Sequence, residues 1–136
     1  MNRIALAAAA VVALNLAVAT VHGLAHARAG VSLEPWQMAF VQVTVYALPL
    51  LSAALYWTPL RRLAAALLAA TMLASLVFGV WFHFVADTPD HVSHRSADGP
   101  GALFVVTAAL LVPAELLGAA FGAWSWRRLD TRLQRR

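Results

Sequence analysis

His22 and His26 stand four residues apart in an apolar run, and His83 closes another such run just before a loop carrying Asp87, Asp90, His91 and His94. On a helix, residues i and i+4 share one face about a turn apart. Two imidazoles so placed can hold one metal ion between them, as helical His-x-x-x-His pairs do. His83 falls at a similar depth, so helix packing is expected to bring it to the same pocket. The expected ligands are therefore His22, His26 and His83, with Asp87, Asp90, His91 and His94 as secondary ligands or a lid. Nitrogen and oxygen donors without thiolate suit Zn, Fe, Mn or Cu(II). Cysteine is absent, and Met38 and Met72 are the only methionines within the apolar runs, which disfavours a Cu(I) thioether site.

Two other readings use the same residues. Two of the three histidines, coming from facing helices, can ligate a haem axially in a four-helix bundle, with Gly23, Ala27 and Gly79 leaving room for the ring. Alternatively the histidines are interfacial and bond loop carbonyls, since polar groups in membrane proteins commonly find structural partners. Asp87-Thr88-Pro89-Asp90 also reads as a turn or a helix start.

A second polar feature lies deeper. Glu115 is the one formal charge far inside an apolar run, at about the depth of Asn15, Tyr46, Thr71 and Ser75. An ionisable group there is costly and should face the bundle, neutral or paired. No arginine shares its depth, so a neutral Glu115 hydrogen-bonded to Tyr46, Asn15 or a hydroxyl is expected. Asn15, His22 and His26 fall on one stripe of the first helix, and Gln42 and Tyr46 form an i, i+4 pair on the second. Such a line of groups suits a proton path from Glu115 outward, or a pocket for a quinone-like headgroup. Interhelical hydrogen bonding is the plain alternative.

Composition says what must position these groups. The chain has 136 residues, 62% of them hydrophobic and 12% charged, with a mean hydropathy of +0.73. That is far more apolar than a soluble domain and points to a membrane. Four stretches, roughly 4–26, 36–57, 63–85 and 102–126, reach the twenty or so residues that a helix needs to cross hydrocarbon. A single all-α integral-membrane domain is expected: a four-transmembrane-helix bundle with an outer loop over 86–101 and a basic tail over 127–136. Gly30 and Pro35 break the chain between the first two runs, and Pro49 and Pro113 inside spans should bend them.

Eight of the ten arginines, Arg3, Arg61, Arg62, Arg127, Arg128, Arg132, Arg135 and Arg136, fall on one side of these spans. The positive-inside rule then places both termini in the cytoplasm of a bacterial inner membrane and the histidines on the outer side. Trp36 and Trp81 mark the outer interface; Tyr56, Trp57, Trp124 and Trp126 mark the inner one. Ala25-His26-Ala27 resembles a signal-peptidase site, but the preceding apolar run exceeds the usual signal length, so a retained first span is expected.

The arginines sit at the ends of spans and not in a patch, which removes nucleic acid as a partner. No phosphate loop, zinc-protease His-Glu-x-x-His or Gly-x-Ser-x-Gly elbow is present. Three readings remain open. One is a metal- or haem-binding bundle doing redox chemistry, metal handling or metal-dependent catalysis. A second is a non-catalytic accessory subunit of a larger membrane complex. The third is a small proton-coupled transporter using Glu115. Gly118 and Gly122 form a Gly-x-x-x-Gly step that serves either packing within the chain or a homo-oligomer.

Overall fold

Each apolar run folds as one helix in the computed structural model, which describes residues 3–133, with side chains described as far as Asp130. The helices are α1 (Arg3–Ala29), α2 (Pro35–Leu55), α3 (Arg61–Val85) and α4 (Gly99–Leu133). All four are long and apolar enough to cross a membrane.

Local chemistry sets the boundaries. α1 runs three residues past its expected end and stops at Gly30, whose φ of +67° suits glycine. The Val31 amide then bonds the His26 carbonyl at 3.0 Å and the Gly30 amide bonds that of Ala27 at 3.4 Å, a Schellman close that fixes the turn carrying His26. α2 stops at Leu55, short of residue 57. Tyr56 is not an interfacial belt residue: it is 1% exposed, and its hydroxyl bonds Ser125. Trp36, Trp57, Trp81, Trp124 and Trp126 are exposed. α4 begins at Gly99 and passes the expected stop at 126, because residues 127–130 include no helix breaker and Leu129 is buried. An Arg62–Asp130 ion pair at 2.7 Å joins the starting turn of α3 to this extension. The basic tail is thus partly helix; Arg135 and Arg136 lie outside the described residues.

Small residues bring α1, α3 and α4 close together. Ala5, Ala8, Ala64 and Ala65 are fully buried around Leu68 and Met72 at one end of the bundle. A Cβ on Gly122 would stand 2.6 Å from the Ala69 backbone nitrogen, so α4 lies directly on α3 there. The Gly-x-x-x-Gly step therefore serves packing inside the chain.

α2 behaves differently. Its half nearer Leu55 touches α1 and α3, whereas the half nearer Pro35 touches α1 sparsely. Within it, Val41–Ala47 winds as a π-helix, and the Leu48 amide reaches back five residues to Val43. Pro49, which has no N–H to give to Val45, follows at once. Trp81–Val85 at the end of α3 is a second π segment, closed by the Ala86 amide on the Trp81 carbonyl at 2.7 Å. Such widened turns often occur where a helix positions functional groups. Both of these border the same cavity.

Candidate metal centre

α1 buries Asn15, His22 and His26 on one face. α3 delivers His83 from its π turn, and the chain then turns sharply, with the His91 amide on the Thr88 carbonyl at 2.9 Å, folding Asp90 back over the ring. Two sequence-distant helices and one loop thereby meet. The Nε2 of His22 lies 3.1 Å from the Nε2 of His83 and 3.1 Å from the Nε2 of His26. One ligating nitrogen from each of the three residues falls within 4.8 Å of the others.

The opposite ring nitrogens show where the protons sit. His83 Nδ1 lies 3.1 Å from the Asp90 carbonyl, which can only accept, so Nδ1 carries the hydrogen. His22 Nδ1 lies 2.9 Å from the Thr107 hydroxyl, whose own proton goes to the Leu103 carbonyl at 2.7 Å. That hydroxyl therefore accepts, and His22 Nδ1 is also the protonated nitrogen. His26 Nδ1 faces the Asp90 carboxylate at 3.5 Å. His22 and His83 therefore turn Nε2 lone pairs towards each other at hydrogen-bonding distance with no proton to share, and His26 Nε2 closes on the same point while its own Nδ1 makes no hydrogen bond.

Three imidazoles converging in this way could hold a divalent cation. A tetrahedral ion with bonds of about 2.0–2.1 Å sets two ligand nitrogens about 3.3 Å apart. Two of the observed separations are close to that. Carbonyl, hydroxyl and carboxylate contacts behind the rings are also how metal-ligating histidines are usually oriented.

The surroundings are dry on one side. Phe104 is fully buried, with its ring centroid 5.0, 4.8 and 5.5 Å from those of His22, His26 and His83. Arg95 holds the loop over this face, donating to the Pro89 carbonyl at 2.6 Å and lying 5.6 Å from the Phe104 ring centre. Burial pushes the Asp90 carboxyl up to about 6, with Arg95 opposing the shift.

The other expected ligands stand apart from the triad. His94 pairs with Asp87 at 3.1 Å on the exposed surface. His91 Nδ1 accepts from the Ser93 amide at 3.1 Å. Their side chains are committed to folding the loop, which leaves Asp90 as the loop residue at the triad.

On the other side lies a cavity of about 520 Å³ between α1, α2, α3 and α4, bordered by all three histidines, Tyr46, Ser75 and Glu115. The midplane groups do not form the expected hydrogen-bonded layer. Thr71 returns its hydroxyl to the Leu67 carbonyl of its own helix at 2.9 Å. Asn15 is buried away from the cavity with neither amide atom paired. Glu115 bonds neither Tyr46 nor Asn15 among the described residues; it is buried and borders the cavity instead. Equal depth did not mean facing sides. Gln42 is exposed and donates to the Met38 sulfur at 3.8 Å.

Sequence reasoning missed Thr107 and Phe104. Both lie on α4 at the depth of His83, and their i, i+3 spacing was the available sign that one α4 face meets the histidines. Comparison with family models, with curated proteins and with solved structures finds no match to this chain.

Proposed function

We propose that this is a multi-pass protein of a bacterial inner membrane, with both termini in the cytoplasm, that holds a divalent transition-metal ion at its outward end through His22, His26 and His83. One observation carries the reading: three buried imidazoles converge through Nε2, and on His22 and His83 the contact at Nδ1 leaves that Nε2 without a proton. Without a cation the His22–His83 pair is self-repelling; with one the three rings make a ligand set.

Zinc, iron, manganese and copper(II) all accept imidazole donors of this kind. A haem fits less well. Axial nitrogens on a haem iron need a flat macrocycle between them, and here His26 and Phe104 fill the space beside the His22–His83 axis. Asp90 would orient two of the rings, through its carbonyl to His83 and its carboxylate to His26. A bound ion supplies Lewis acidity and an acidified water. Because the three histidines border an open cavity, the site resembles metal centres that act on a ligand more than those closed by four protein donors.

Elemental mass spectrometry of the purified chain in mild detergent tests this. About one transition-metal ion per chain, lost in His22→Ala and His83→Ala with the fold intact, is the expected result. Metal far below stoichiometry after incubation with Zn, Fe, Mn and Cu salts would overturn it, and the accessory-subunit reading would then stand first.

A further inference from the structure

The cavity beside the triad has a side opening and a second, deeper polar end. Gly23 and Ala27 on α1 and Met38 and Gln42 on α2 all border it, and all four are exposed. They lie one turn apart on each helix, so the opening is a slot between the two spans, facing where acyl chains would run. The side of α1 at the slot is kept low by glycine: a Cβ on Gly23 would lie 3.8 Å from the Tyr46 hydroxyl.

At the deep end sit Glu115, 3% exposed, and Ser75, 2% exposed. The Ser75 hydroxyl is buried without a partner, and the Glu115 carboxyl borders the cavity. A buried hydroxyl left this way is costly, and the cost disappears when a ligand supplies the missing bond. Gly79 forms the wall between the two ends. A Cβ there would lie 3.9 Å from Glu115 Oε2 and 4.0 Å from His83 Cδ2, so one methyl-sized step separates the deep carboxyl from the histidines. The rest of the wall is apolar, including Ala19, Val45 and Leu111.

We propose that this cavity binds a neutral amphiphile that enters sideways from the bilayer between α1 and α2 and gives a hydroxyl or carbonyl oxygen to Glu115 and Ser75. The loop held by Arg95 covers the triad from one side, and the cavity also reaches Ser32 and Leu33 of the α1–α2 connection, so the slot runs from the span faces up to the end of the bundle. The cavity volume falls within the usual range of small-molecule sites, roughly 300–1,000 Å³, and holds a head and a short stretch of chain but not a whole phospholipid. The inference does not depend on a metal ion, since the polar groups it uses, Glu115 and Ser75, are not among the three histidines that would hold one.

The test is photolabelling of chelator-treated protein in phosphatidylcholine nanodiscs with a long-chain alcohol carrying a diazirine, beside the matching alkane. The alcohol should mark cavity-wall residues such as Val45 and Leu111, and the alkane should not. Glu115→Leu should cut that labelling about tenfold, the worth of one good hydrogen bond, and Glu115→Gln should restore most of it. Gly79→Phe should abolish it by filling the step. Should Gly79→Phe fail to fold, Ala27→Trp, on the exposed edge of the slot, gives the same loss without touching the core. Equal labelling by the alkane, marks confined to outward-facing residues such as Leu24 and Val77, or wild-type labelling in both Glu115→Leu and a slot-filling variant would each overturn the proposal. Metal content, measured separately, reports on the triad alone.

Discussion

His22 and His83 come from different helices, yet their Nε2 atoms lie 3.1 Å apart while their Nδ1 atoms face Thr107 and the Asp90 carbonyl. The outer contacts decide what the inner nitrogens can do. A histidine pair sharing a proton would need one Nε2–H, and neither ring has one to give once its Nδ1–H is committed.

Ala substitution of His22, His26 or His83 should remove bound metal, whereas His91→Ala and His94→Ala should keep it. The loop pair is exposed and makes its own contacts with Ser93 and Asp87. Ligand binding to the folded state stabilises by about 2.7 kcal/mol at a hundred times the dissociation constant. Added zinc should therefore raise the melting temperature of wild type and of the His91 and His94 variants, and leave the triad variants where they were. A thermal melt series in detergent with and without zinc reads this directly.

Asp90→Asn should weaken metal binding about 10–100-fold without abolishing it, the usual effect of removing a group behind a ligand. It should also change how the metal-free protein responds to pH. The folded carboxyl is held at about 6 against 3.8 in the unfolded chain, so the folded state binds this proton more tightly. The stability it contributes is full below about 3.8, falls as pH rises, and is gone above about 6. His26 faces the group from α1 and Arg95 from the loop; comparing wild type with Asp90→Asn isolates the carboxyl itself. Chelated wild type should lose roughly 1–3 kcal/mol relative to the variant between those limits. Parallel melting curves at every pH would remove Asp90 from this role.

Gly122 and Gly118 look alike in sequence and should differ in effect. A Cβ at 122 meets backbone, 2.6 Å from Ala69 N and 2.9 Å from Ala65 O, and backbone cannot yield without parting α3 from α4. At 118 it meets the Met72 side chain, 2.7 Å from Cγ and 2.8 Å from Sδ, which can rotate away. Gly122→Ala should cost about 1–3 kcal/mol and Gly118→Ala clearly less. Thermal unfolding in detergent separates them, and both should still bind metal at low temperature because the contacts lie far from the triad.

The four spans were legible because length and hydropathy alone specify them. The His22–His26 pair was legible because its spacing already defines a shared face. The π turns were not. A single extra residue in a turn leaves no composition signal, yet it alters which α2 residues border the cavity and the angle at which His83 enters. Nor does sequence separate Asp90 from Asp87, three residues apart in one loop; the backbone turn at 88–91 sends one to the triad and the other to His94. Tyr56 misled for a related reason: aromatic residues at span ends usually face headgroups, and this one finds Ser125 on α4 instead.

Orientation rests on the arginines, and the absence of cysteine makes it easy to measure. Ser93 lies exposed in the loop between α3 and α4, and Thr58 lies exposed in the turn between α2 and α3, at the opposite end of the bundle. Single variants Ser93→Cys and Thr58→Cys therefore report the two sides independently against a background with no thiol. A membrane-impermeant maleimide that can pass the outer membrane should label Ser93→Cys in intact cells, and Thr58→Cys only after the inner membrane is permeabilised. The reverse pattern would put the histidine triad on the cytoplasmic side. That inversion would leave the ligand geometry untouched but change the pool of metal that can reach it, from ions outside the cytoplasm to those within. Labelling of both positions in intact cells would mean that the chain inserts in two orientations, and the eight-to-two arginine bias would then be too weak to fix its topology.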